Sequence, residues 1–135
     1  MTGNQTLLKK LGYKITPTRL AILNVFDENN KPIDASFIHN KLKENINEAT
    51  IYRTLASFEN NGILRRIDLR KDSVYFELNN DHHHHMVCLK CGEIEDFREN
   101  KDVEKLLKRI VTESKKFKSI KEHSLELFGC CKSCN

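Results

Sequence analysis

Cys88-Leu89-Lys90-Cys91 and Cys131-Lys132-Ser133-Cys134 form two CxxC pairs separated by 39 residues. Each pair can set two thiolates on one ion, and two pairs complete a tetrahedral all-cysteine zinc site. Two disulfides and unligated core thiols are the alternatives. The N-terminus has no basic-then-apolar leader, which points to a reducing cytosol and weighs against the first. The paired spacing weighs against the second. Cys130 is surplus; a ligand there would make the spacing CxxxC, so Cys131 is preferred.

Between the pairs and the first half of the chain stands the run His82-His83-His84-His85. It is expected within a strand covering His82 to Cys88. Alternation on a strand sends His83 and His85 to one face and His82 and His84 to the other. Each face then offers two imidazoles to one ion, unless all four simply face solvent. Glu77, Asp96, Glu104 and His123 are candidate additional ligands. His39 reads as a surface or packing residue. All five Cys follow residue 87 and every other His follows residue 81, so metal chemistry belongs to the last 55 residues.

Small elements must position these groups. In residues 1–80, Leu7, Leu8 and Leu11 mark a short helix that stops at Gly12. Thr16-Pro17 reads as an N-cap with proline in the first turn, and Leu20, Ile22, Leu23 and Phe26 continue that helix to Asn29-Asn30. Asp34 caps a third helix and Asn47 a fourth, whose inward face is Ile51, Leu55 and Phe58 and whose stop is Gly62. Strands are expected over Ile63 to Asp68 and Ser73 to Leu78. Helices followed by a hairpin fit either a small α+β domain without a ligand or a winged helix-turn-helix, whose recognition helix enters the major groove. The outward face of the fourth helix carries Thr50, Tyr52, Arg53 and Ser57, side chains suited to base and phosphate contacts. Residues 81–135 are expected as strand, strand, helix, strand. Val103, Leu106, Leu107, Ile110 and Val111 form the apolar face of the helix, and the last strand covers Ile120 to Phe128. So small a unit gains from a metal staple or from dimerisation.

Composition excludes little else. The chain has 135 residues, is 39% hydrophobic and carries a net charge of +4. Up to Asn80 it has 12 basic and 9 acidic residues, which permits nucleic-acid binding without arguing for it. No apolar run is long enough to cross a membrane as a helix. There is no phosphate loop, no GxSxG elbow and no HExxH, so a hydrolase or thiol reductase lacks an obvious catalytic assembly.

Several ordered pieces carry a resemblance. They are Gly12-Tyr13-Lys14-Ile15-Thr16-Pro17-Thr18-Arg19, Ala49-Thr50-Ile51-Tyr52-Arg53-Thr54-Leu55, Tyr75-Phe76-Glu77-Leu78, the run from His82 to Gly92, His123-Ser124-Leu125 and the final CxxC. Together they resemble the ferric uptake regulator family over nearly all of residues 7–134. The resemblance implies a dimeric, metal-sensing transcriptional repressor without catalytic residues. Its N-terminal winged helix (residues 1–80) would bind AT-rich palindromic operators, and its C-terminal α/β domain (residues 81–135) would dimerise. Tyr52 and Arg53 match the family's DNA-contacting positions on the recognition helix, Lys14 a minor-groove contact and Arg19 a phosphate contact. Cys88, Cys91, Cys131 and Cys134 match a structural zinc site. Glu77, His83, His85 and Asp96 match a regulatory site, and His82, His84, Glu104 and His123 a further one. Pro32 stands where the family commonly has another histidine ligand. Histidine at 84, often aspartate in iron-type members, tilts toward Zn²⁺, whereas Glu77 favours harder ions such as Fe²⁺ or Mn²⁺. Asp96 resembles the peroxide-sensing branch. A zinc-stabilised protein-interaction module without DNA binding is the rival class.

Overall fold

The computed structural model describes residues 2–134. Contacts divide the chain into two compact units, Met1–Asn80 and Asp81–Asn135.

The N-terminal unit has four helices and a three-stranded sheet. Helix α1 (Gly3–Lys10) begins at a capping box: the Thr2 hydroxyl accepts the Gln5 N–H and the Gln5 side chain accepts the Thr2 N–H. Gly12 follows at φ 84°, a left-handed position that other residues enter at a cost. Helix α2 (Pro17–Glu28) starts at N-cap Thr16 with proline in its first turn. Helix α3 (Ala35–Leu42) is capped by Asp34, and α4 (Glu48–Asn60) by Asn47, which accepts the Thr50 N–H at 2.9 Å. Gly62, φ 79°, turns the chain into the hairpin of β2 and β3.

That sheet has one more strand than the sequence reading supplied. The two residues of β1 (Ile33–Asp34) pair antiparallel with β3 (Tyr75–Leu78), which also pairs with β2 (Leu64–Ile67), in the order β1-β3-β2. Asp34 serves twice: one oxygen caps α3, and the other accepts the Ser73 hydroxyl at 2.5 Å. The strands are shorter than expected, ending before Asp68 and starting only at Tyr75. The inward faces make one apolar core, including Leu8, Leu23, Phe26, Ile38, Ile51, Leu55, Phe58, Leu64 and Phe76.

In the C-terminal unit, β4 (His84–Cys88) lies between β5 (Ile94–Phe97), antiparallel, and β6 (Glu126–Gly129), parallel. Helix α5 (Lys101–Glu113), capped by Asn100, sits between β5 and β6 in sequence, and a 3₁₀ turn (Lys132–Cys134) ends the unit. Strand β4 does not begin at His82. His82 and His83 precede the paired residues, because β5 ends at Phe97, the partner of His84, and β6 begins level with His85. Residues 120–125, expected as strand, are non-regular. None of the described residues of α5 is fully buried, and Leu106 and Ile110 are each 52% exposed. Among the described residues no helix is long and apolar enough to cross a membrane.

Candidate metal centres

The four cysteines of the CxxC pairs converge. Their Sγ atoms all lie within 4.8 Å of one another, and all are free thiols. Strand pairing causes this: Cys88 is level with Gly129 across β4 and β6, so the turn after each strand delivers its cysteines to the same end of the sheet. The turns are tied internally by Gly92 N–H to Cys88 O and by Cys134 N–H to Cys131 O. Cys91 Sγ and Cys131 Sγ are 3.7 Å apart. A tetrahedral zinc with Zn–S of about 2.3 Å implies sulfur edges of about 3.8 Å, so the cluster fits that ion. Its protonation fits too. Backbone N–H groups of Cys91 and then Cys131 hold the Cys88 thiol down at about 5, whereas the neighbouring sulfurs of Cys91 and Cys131 push Cys134 up to about 12. One thiolate forms readily and the last proton is held hard, a conflict that a divalent cation relieves. Cys130 is exposed, its thiol against the Cys131 carbonyl, and stays outside the four.

The histidine run divides as alternation requires. On one side, His82, His84 and His123 gather round a carboxylate, with their ligand atoms within 4.8 Å. That carboxylate is Glu99. Its Oε2 is 2.7 Å from Nε2 of both His84 and His123, and its Oε1 is 3.4 Å from Nε2 of His82. The Leu125 N–H lies 3.2 Å from Nδ1 of His84 and holds the ring with Nε2 facing Glu99. Hydrogen bonds from His123 and then His84 hold the Glu99 carboxyl near about 2. Three nitrogens and one oxygen form a donor set for zinc. Glu104, singled out from the sequence, is not in the cluster. It is exposed on the first turn of α5 and lines a cleft of about 530 Å³ together with Glu99 and His123. Glu99 was missed because nothing in its local sequence distinguishes it from other acidic residues; the turn after β5 carries it to the histidines.

On the other side are His83 and His85, ring centroids 4.9 Å apart. His85 is buried, with Nε2 3.7 Å from Asp96 Oδ1 and Nδ1 3.7 Å from Glu126 Oε1. His83 directs Nδ1 at the Asp81 carbonyl, 3.2 Å away. Glu77 belongs to the N-terminal unit. It is buried on β3, opposite Arg65 of β2, whose Nε donates to it at 2.7 Å.

The proposed DNA-contacting residues lie in the N-terminal unit. On α4, Tyr52 is 53% exposed and Arg53 is exposed, its Nη2 donating to Thr50 Oγ1 at 3.2 Å. Ser57 instead meets the Tyr13 hydroxyl at 2.7 Å and serves packing between α4 and the segment after α1. Lys14 is exposed. Arg19 stacks over Tyr13 and donates to the Lys14 carbonyl at 2.8 Å, so the two basic residues share one anchored turn. His39 is half-buried on α3 and lies in none of the ligand clusters.

This arrangement meets its relatives at the level of sequence and fold. The ferric uptake regulator family model matches residues 10–128. The chain belongs to the ferric uptake regulator family. The ferric uptake regulation protein of Neisseria gonorrhoeae is 38% identical over 137 residues, covering 98% of this chain and 93% of that protein. The iron-containing structure of the ferric uptake regulator from Francisella tularensis aligns with a TM-score of 0.78 and 38% identity, covering 91% of this chain and 95% of that one. The manganese-containing regulator from Pseudomonas aeruginosa aligns with a TM-score of 0.79 and 31% identity, over 97% and 99% of the two chains. Members of this family are metal-responsive regulators rather than enzymes.

Proposed function

We propose that this ferric uptake regulator family member is a cytoplasmic, homodimeric repressor whose operator binding is coupled to a divalent metal. The observation that carries the reading is the split of four consecutive histidines into two ligand groups beside a four-thiolate cluster. A purely structural domain needs the thiolates alone. In this reading Cys88, Cys91, Cys131 and Cys134 hold a resident Zn²⁺ that staples the C-terminal unit. His83, His85 and Asp96, with Glu77 as the carboxylate of the N-terminal unit, take the regulatory Fe²⁺, Mn²⁺ or Zn²⁺. His82, His84, Glu99 and His123 form the further site, Glu99 taking the place expected for Glu104.

DNA recognition is assigned to the N-terminal unit. Tyr52, Arg53 and Thr50 lie on the α4 face that enters the major groove of an AT-rich palindrome, and Lys14 and Arg19 flank it on the backbone. The C-terminal unit dimerises through the apolar face of α5. Metal favours the dimer conformation whose two α4 helices match successive half-sites, and a tenfold gain in affinity needs only about 1.4 kcal/mol of differential binding.

The test is binding to an AT-rich palindromic duplex at fixed salt, titrating Mn²⁺ and, separately, Zn²⁺. One ion should raise affinity well above that for a scrambled duplex, and His83→Ala with His85→Ala should abolish the gain. Metal stimulation that survives the double substitution refutes the regulatory assignment. A protein-interaction module would lack the steep salt dependence that phosphate contacts impose.

A further inference from the structure

We infer that Glu126 is a positioning residue of the His83/His85 site: it holds the His85 proton on Nδ1 and so turns the Nε2 lone pair toward the metal. The inference rests on the assignment of His83 and His85 as ligands. It arises from the strand register. Asp96, His85 and Glu126 are direct neighbours across β5, β4 and β6, so the three side chains form a row on one face of the sheet. Within the row the imidazole is flanked differently at its two nitrogens. Asp96 stands 3.7 Å from Nε2, and Glu126 stands 3.7 Å from Nδ1. The His83 ring is 4.9 Å away between centroids.

A neutral imidazole has one proton, and only the nitrogen without it can ligate. A metal-binding histidine is fixed in its tautomer by an acceptor at the other ring nitrogen, commonly a carboxylate or backbone carbonyl. His83 already shows this pattern: its Nδ1 meets the Asp81 carbonyl at 3.2 Å, which leaves Nε2 to ligate. Among the described residues, the Nδ1 atom of His85 is buried with no hydrogen bond at normal distance; the Glu126 carboxylate, 3.7 Å away, is the group placed to accept its proton. Its side chain is only 16% exposed, and the His85 side chain is 1% exposed, so water competes weakly for that proton. Asp96 lies at the Nε2 edge and serves as a co-ligand, the opposite role from Glu126 although both are carboxylates at the same distance. A metal at Nε2 withdraws charge from the ring and strengthens the Nδ1–H bond to Glu126, so this residue raises metal affinity without touching the ion.

Glu126→Leu removes the acceptor while filling the space; Glu126→Gln keeps a carbonyl oxygen at the position. The tautomer of His85 is read by long-range ¹H–¹⁵N correlation in protein with zinc in the cysteine site and no added metal. Mn²⁺ affinity is read by calorimetry without DNA. The wild type should show Nδ1–H at His85. The Leu variant should move the proton to Nε2 and weaken Mn²⁺ binding by roughly 10- to 100-fold, the usual cost of removing such a partner. The Gln variant should keep Nδ1–H and lose less. Thermal melting of both variants separates these effects from misfolding, and Gln carries the test if Leu does not fold. A wild-type ring protonated on Nε2, or a Leu variant with unchanged tautomer and affinity, overturns the inference. Neither readout uses an operator, so a failure of metal-stimulated DNA binding is distinguishable from a failure of this assignment.

Discussion

Among the metal-site carboxylates, Glu99 carries the most testable consequence. It meets three imidazoles, and Glu104, five residues on and in the first turn of α5, meets none of them. Glu99→Gln should therefore weaken Zn²⁺ binding at the His82/His84/His123 site at least tenfold in a chelator competition, whereas Glu104→Gln should leave it within about twofold. Removing an anionic ligand costs no less than removing a partner that only orients one, for which 10- to 100-fold is typical. Glu99 also has a pH signature. Its carboxyl is held near about 2, against 4.5 for the ordinary group, by His123 first and then His84. A depressed folded-state value means stability that is complete above about 4.5 and lost as pH falls toward 2. In metal-free protein, denaturation curves across that window should show a smaller acid loss for Glu99→Gln than for the wild type.

At the scale of elements, α4 depends on its ends. Asn47 satisfies the Thr50 N–H, and Gly62 supplies the left-handed turn after the helix. Asn47→Ala should cost about 1 kcal/mol in urea denaturation. It should also lower operator affinity modestly, since Thr50, Tyr52 and Arg53 lie within two turns of that cap. The helix termini were largely legible in sequence, because Thr16, Asp34 and Asn47 each satisfy an N–H group three residues away and need no distant partner. Strand limits were less legible. Strand β1 exists only because β3 offers it an edge, and β4 starts at His84 because β5 ends at its partner, Phe97.

For the molecule as a whole, α5 is the element whose packing is left open. Leu106 and Ile110 are half-exposed on a helix with none of its described residues fully buried. Covering such a face is worth about 25 cal/mol per Å² of apolar area, and a second copy of the C-terminal unit is its proposed partner. Leu106→Lys with Ile110→Lys should shift the protein toward monomer in sedimentation velocity. The same variant should lose most of its affinity for the palindromic duplex, while a half-site duplex should be bound about as weakly as by wild type. Loss of palindrome affinity in a variant that is still dimeric would separate the α5 face from assembly.

The amino-acid sequence by itself determined the features set by local rules: N-caps three residues from the N–H donors they satisfy, paired cysteines on tight turns, and histidines alternating between two faces. It also carried enough ordered motifs to indicate the family. Tertiary structure decided which carboxylate joins which histidine. Glu99 reaches His84 and His123 because the turn after β5 brings it there, and Glu126 becomes a neighbour of His85 because β4 and β6 run parallel. Parallel pairing joins residues 41 positions apart, and no local periodicity encodes such a register. Acidic residues are common on surfaces, so identity alone could not separate Glu99 from Glu104; only the distances between their oxygens and the imidazole nitrogens did.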